Sequence, residues 1–141
     1  MTKTISLFGL PLVDADRQSA IAAMFDRPGR TTAAFLNAHC VNSAAKDRTY
    51  TLALRAADFV LPDGSGISLA AKFVGKCLTE NLNGTDLCRP LCEEAARRGL
   101  SIFLLGAKPG IAERAATNMT AKVPGLKIAG TRDGYFEDDA S

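Results

Sequence analysis

The sequence is short of metal ligands. Its only histidine is His39, and none of its four cysteines, Cys40, Cys77, Cys88 and Cys92, forms a CxxC pair. A structural zinc site lacks the ligand spacing it needs, and no metal or other cofactor is expected. The cysteines read instead as small buried thiols in a reducing compartment. Charge of one sign is also lacking: Lys and Arg number 17 against 15 Asp and Glu, a net +2, and Arg97-Arg98 is the only adjacent basic pair. That is no electrostatic footprint for nucleic acid. No apolar run is long enough to span a bilayer. The longest near the start, Ile5 to Val13, contains Gly9 and Pro11 and is ended by Asp14 and Asp16, without the shape of a signal peptide. A cytoplasmic location is expected. Neither G-x-G-x-x-G with its ribose-binding acid nor G-x-x-x-x-G-K-[ST] occurs, which argues against a nicotinamide-dependent oxidoreductase and a P-loop enzyme.

What is present suits one soluble α/β domain over residues 1–141, with 47% hydrophobic and 23% charged residues. Short strands are expected at Ile5–Phe8 and Leu12–Val13 around a Gly9–Pro11 turn. A helix follows, capped by Asp14 or Asp16, with Ala20, Ile21 and Met24 inward. Thr31 to Leu36 reads as a buried strand ending at Asn37. Residues 40–58 carry Val41, Ala45, Leu52 and Ala56 on one helical face. Thr85 caps a helix to about Arg98, with Pro90 inside it and Gly99 as its stop. "SIFLLGAKPG" (101–110) is a strand running into glycine, and the next helix uses Ile111, Ala115 and Met119. Strands alternate with helices and several are continuous apolar runs. The expected architecture is therefore a three-layer, Rossmann-like, mostly parallel sheet with helices on both faces and a short N-terminal β-hairpin.

The segment "FVLPDGSGISLAAKFVG" (59–75) holds the sharpest signal. An apolar strand, Phe59–Leu61, meets a helix with Ile67, Ala70, Ala71 and Val74 on its buried stripe, and Asp63, Gly64 and Gly66 lie between. In open α/β sheets ligands bind beyond the carboxyl ends of the strands. Asn37, Asp63 and Gly106 each end a strand, so parallel strands would open all three loops at one rim. Asp63 has two readings: a helix-capping aspartate, or a general base with Gly64 and Gly66 giving close access. Residues 106–110 are a tight strand-to-helix turn, or a phosphate cradle of backbone N–H groups with Lys108 nearby and Gly110 at the helix start. "NLNGTDL" (81–87) holds Asn83, Gly84, Thr85 and Asp86, and reads either as a helix cap made by Thr85 with Asp86 favourable in the first turn, or as hydrogen-bond partners of sugar or phosphate hydroxyls.

The order of "FLNAHCVNSAAKD", "ADFVLPDGSGISLAAKFVG", "ENLNGTDL", "IFLLGAKPGIAERAA" and "PGLKIAGTRDGYF" resembles the WecG/TagA/CpsF family of bacterial glycosyltransferases, over about residues 5–136. The resemblance implies inverting, metal-independent transfer of a sugar, of N-acetylmannosamine or glucose type, from a UDP-sugar donor to an undecaprenyl-diphosphate-linked sugar acceptor in cell-surface polysaccharide synthesis. It implies Asp63 as the catalytic base. Asn37, Gly64, Asn83, Gly84, Thr85, Asp86, Gly106, Lys108 and Gly110 would bind substrate. The chain departs from the family at Phe35-Leu36-Asn37, where many relatives have Thr-x-Asn, and at Asn81, where many have arginine. Both suggest an exopolysaccharide-type branch. Relatives continue past the GYF segment into a basic tail that meets the membrane. On that reading the chain is the N-terminal part of a longer enzyme, peripheral at the inner face of the plasma membrane, or a naturally short form that covers exposed apolar surface as a homo-oligomer. A nucleotide-sugar-binding module without turnover is the alternative.

Overall fold

The computed structural model describes residues 2–136. The protein is α/β, and its strand pairings are parallel except at the N-terminal hairpin. The chain divides into two compact units, Met1–Leu87 and Cys88–Ser141. Each carries its own sheet and is described by itself.

In the first unit, β1 (Thr4–Leu7) and β2 (Leu10–Val13) form an antiparallel hairpin. The turn lies at Phe8 and Gly9 rather than Gly9–Pro11. Both residues have positive φ, 55° and 70°, the backbone that a two-residue hairpin requires. Pro11 is thereby free to sit within β2. The helix α1 (Arg17–Asp26) is capped by Asp16, whose carboxylate accepts the Ser19 N–H at 2.9 Å. Ala20 and Ile21 are buried on it. Next come β3 (Ala33–Leu36), α2 (Ala38–Lys46), α3 (Arg48–Ala56), β4 (Phe59–Pro62) and α4 (Ser65–Phe73). The sheet order is β1-β2-β4-β3, with β2 and β3 both parallel to β4. β4 is thus central, and all four of its residues are buried, as its unbroken apolar run requires. Leu7, Leu10, Leu12, Leu36, Leu54, Val60, Ile67 and Ala71 form the core.

Two helical stripes differ from expectation. Residues 40–58 make two helices rather than one face. Asp47 ends α2 and starts α3, accepting the Thr49 and Tyr50 N–H groups at 2.8 and 3.1 Å. The break resets the helical phase, so Leu54 is buried and Leu52 is 53% exposed. In α4, Ile67 and Ala71 are buried. Val74 lies past the last turn and is 58% exposed, because Gly75 (φ 73°) stops the helix.

Asp14 does not cap α1. It is buried instead, its Oδ2 facing Lys3 Nζ at 2.6 Å and its Oδ1 accepting from both the Thr79 N–H and hydroxyl at 2.8 Å. The Lys3 hydrogen bond holds the Asp14 carboxyl below the usual carboxylate range, against the opposing pull of burial and with help from Thr79. A depressed folded value means that this stabilisation is complete above the unfolded value of about 3.8 and is lost as pH falls through the folded one. Asp14→Asn is therefore expected to cost roughly 1–3 kcal/mol near neutral pH and clearly less at pH 3. Thermal melts at the two pH values check this. Equal losses at both would show that the ionised pairing is not the source.

The helix α5 (Gly84–Arg97) carries the chain into the second unit and runs through Pro90. Leu87, Cys92 and Ala95 are buried on it, and Gly99 (φ 70°) follows its end as expected. The second unit pairs β5 (Ser101–Leu105) with β6 (Lys127–Arg132) in parallel, with α6 (Ile111–Lys122) between them in sequence. Its core joins Cys92, Val123 and Leu126, with Ile102, Met119 and Ile128 packed against them. On α6, Ala112 and Ala116 are buried, whereas Ile111 and Ala115 are exposed. Met119 packs inward as expected, but in the first two turns the buried positions are one residue later, after Gly110 in the left-handed region (φ 84°) at the helix start. Of the cysteines, Cys92 is buried and its thiol is pushed up to about 11, chiefly by desolvation; Cys77 and Cys88 are exposed.

Candidate functional site

The register pair Leu36↔Pro62 ends β3 and β4 together, which sets Asn37 and Asp63 side by side at the carboxyl rim of the first sheet. Their backbones are joined there by the Asp63 N–H, which donates to the Leu36 carbonyl at 2.9 Å. Asn37 caps α2 by accepting the Cys40 N–H at 2.9 Å. Gly66 faces the same loop: a Cβ built on it would stand 3.6 Å from the Ala38 Cβ.

Asp63 does not cap α4. The cap position belongs to Gly64, and no side chain accepts from the first turn of that helix. Gly64 has φ 99° and ψ 159°, a backbone open essentially to glycine alone. A Cβ there would meet nothing within 4 Å, so the requirement is conformational and not one of space. Among the described residues, no hydrogen bond or ion pair engages the Asp63 carboxylate, which is half-buried. A carboxylate at the mouth of a sheet, relieved of a capping role, is chemically free to accept a proton.

The strap that crosses this rim was not legible in the sequence. Four consecutive residues each reach a different element. Thr79 bonds Asp14 at the end of β2. Glu80 accepts from the Arg17 N–H at 2.7 Å and from its guanidinium at 2.9 Å. Asn81 Oδ1 accepts the Gly64 N–H at 2.8 Å, and the Leu82 N–H donates to the Pro62 carbonyl at 2.9 Å. The partners lie between 17 and 65 residues away in sequence, so no local spacing could have announced them.

The strap delivers the next motif to the same rim. The cap of α5 is Asn83 and not Thr85: its Oδ1 accepts the Asp86 N–H at 2.9 Å, and its Nδ2 donates to Asp86 Oδ2 at 2.7 Å. Asn83 wins because its side chain stands three residues before the N–H it reaches, the ordinary cap spacing. Asn83 and Asp86 are thereby engaged with each other, while Thr85 is exposed. Gly84 lies over the Phe35 ring, 3.6 Å from where its Cβ would be. Asn37, Asp63, Gly64, Asn83 and Gly84 thus meet at one rim.

Gly106, Lys108 and Gly110 belong to the second unit. Gly106 follows the carboxyl end of β5 with φ 136°, and Ala107 has φ 62°. The loop is pinned to the segment after β6: the Gly106 N–H donates to the Arg132 carbonyl at 2.9 Å and the Gly134 N–H to the Ala107 carbonyl at 2.8 Å. Gly110 opens α6 with no side-chain cap, the Ile111 N–H turns back to the Lys108 carbonyl at 3.1 Å, and Lys108 is exposed.

A groove of about 860 Å³ lies along α1, walled by Lys3, Val13, Asp14, Asp16, Arg27 and Asp58 among others. Asp14, Asp16 and Asp58 are already bonded there, Asp58 to Arg27 at 2.6 Å and to the Thr32 N–H at 2.8 Å. Among the described residues, no group of three His, Cys, Asp or Glu is placed to hold a metal ion, and no helix is long and apolar enough to cross a membrane.

Comparison with known proteins gives a consistent relationship. The profile of the Glycosyl transferase WecG/TagA/CpsF family matches residues 5–141. An N-acetylglucosaminyldiphosphoundecaprenol N-acetyl-beta-D-mannosaminyltransferase of Bacillus subtilis (strain 168) is 28% identical over 140 residues, covering 96% of this chain and 55% of that protein. The enzyme of the same name from Bacillus spizizenii is 34% identical over 95 residues, covering 67% of this chain and 37% of that protein. The chain therefore spans about half the length, or less, of these relatives.

Proposed function

The chain belongs to the WecG/TagA/CpsF family of glycosyl transferases, and from that premise we propose that it transfers a sugar from a UDP-sugar to a lipid-diphosphate-linked sugar, with inversion. The names of the relatives support an undecaprenyl-diphosphate-linked acceptor and an N-acetylmannosamine-type sugar. In this reading Asp63 takes the proton from the acceptor hydroxyl. The acceptor oxygen attacks the anomeric carbon from the face opposite the diphosphate, and UDP leaves with the electron pair of the broken bond. The carboxylate of Asp63, unpaired at the rim and relieved of capping by Gly64, carries the proposal. Asn37, Gly64, Asn83, Gly84, Thr85 and Asp86 would line the sugar side. Within the second unit, the uncapped start of α6 has N–H groups of the kind that suits diphosphate, and Gly106, Lys108 and Gly110 are proposed as substrate-binding residues there.

The test is turnover of UDP-sugar with a lipid-diphosphate acceptor, run beside UDP binding. Binding with no transfer by this chain or by any longer form of the gene product would favour a nucleotide-sugar-binding module. Lys108→Ala is expected to weaken UDP binding by about 5–10-fold, as a lost charge-assisted hydrogen bond should, with the melting temperature unchanged because Lys108 is exposed. Unaltered affinity would remove it from the site. A bulky residue at Gly106 is a poorer probe, since its φ of 136° strains any side chain.

A further inference from the structure

We propose that Asn81 is the positioning residue of the Asp63 turn. This rests on the reading of Asp63 as the base, but its test does not. Among the described residues, three hydrogen bonds join that turn to other elements, besides the local one from the Ile67 N–H to the Gly64 carbonyl at 3.2 Å that starts α4. The Asp63 N–H is tied to the Leu36 carbonyl and the Pro62 carbonyl to the Leu82 N–H, both at 2.9 Å. These two are backbone pairs that persist whatever the side chains are. The third, Gly64 N–H to Asn81 Oδ1 at 2.8 Å, is made by a side chain. It acts at the residue whose φ of 99° decides where the chain turns from β4 into α4.

Glycine has many conformations to lose, so a Gly64 freed of its tether would sample others at little steric cost; nothing lies within 4 Å of its Cβ position. The direction of the preceding carboxylate would then spread, and transfer depends steeply on holding reacting atoms near 3–3.5 Å. Asn81 is itself fixed on both sides. Glu80 is clasped by Arg17, and Leu82 is fully buried. The strap thus brings one amide oxygen to one N–H and holds it there. Its neighbours are tied to β2, α1 and β4, so the orientation of the turn is set by the frame of the unit and not by the two-residue connection Asp63–Gly64 alone.

The experiment compares wild type with Asn81→Ala and Asn81→Asp by NMR on the free chain. Amide hydrogen exchange at Gly64 and the three-bond couplings that report the Asp63 χ1 angle are measured, with thermal melts alongside. Asn81→Ala is expected to speed Gly64 exchange at least about tenfold and to average the Asp63 couplings, with the fold retained. Asn81→Asp keeps the acceptor oxygen and is expected to restore slow exchange. In any form that turns over, Asn81→Ala should lower kcat while donor KM changes less than about twofold. Unchanged Gly64 exchange and unchanged Asp63 couplings in a folded Asn81→Ala protein would overturn the assignment. So would failure of Asn81→Asp to restore protection. If Asp63→Asn leaves transfer intact, the catalytic reading falls, while the exchange and coupling data still judge Asn81.

Discussion

Asp63→Asn is expected to lower sugar transfer by roughly 10²–10⁴-fold, the range for losing a positioned general base. UDP-sugar binding and thermal stability should barely change. The substitution keeps the shape of the side chain and removes only its capacity to take a proton. The structure makes this a clean experiment. Asp63 caps no helix, and among the described residues its carboxylate has no partner, so no structural bond is lost with the charge. Transfer at near wild-type rate would end the assignment. Loss of stability would reveal a structural role that the geometry does not contain.

Leu61→Ala should produce the largest loss of stability. Leu61 is fully buried on the central strand, between β2 and β3 and two residues before Asp63. Truncation removes its transfer free energy and leaves a cavity that strands bonded on both sides cannot collapse to fill, for about 2–5 kcal/mol. Urea unfolding checks it, as a lower midpoint with unchanged slope. Leu52→Ala is the matched control. Helical spacing across residues 40–58 put Leu52 inward, yet it is 53% exposed, and its truncation should cost less than about 0.5 kcal/mol. A large loss at Leu52 would mean that α2 and α3 form one continuous helix.

These leucines show where sequence reading stops. Leu61 was legible because an unbroken apolar run bounded by turn residues is buried under almost any packing. Leu52 was misplaced because the helical phase is reset by Asp47, and an aspartate in a polar run looks the same whether it is solvated or capping. The same holds at Thr85 and Asn83: both residue types cap helices, and the expected cap was Thr85 while Asn83 makes it. The first two turns of the α6 stripe slipped by one residue, while Met119 packs as expected, because the start of that helix is set by a left-handed glycine whose φ the sequence does not display.

The α/β class, the alternation of strands with helices, the position of Asn37 and Asp63 at strand ends and the family are all legible in the amino-acid order. Each follows from local periodicity or from motifs a few residues long. The packed chain adds that Gly64 and not Asp63 opens α4, that Asp14 is buried under Lys3 and Thr79, and that Asn81 accepts the Gly64 N–H. Those outcomes rest on bonds between residues 11 to 65 apart in the chain. Their geometry exists only once the hydrophobic core has brought the strand ends together, so no spacing in the sequence encodes it.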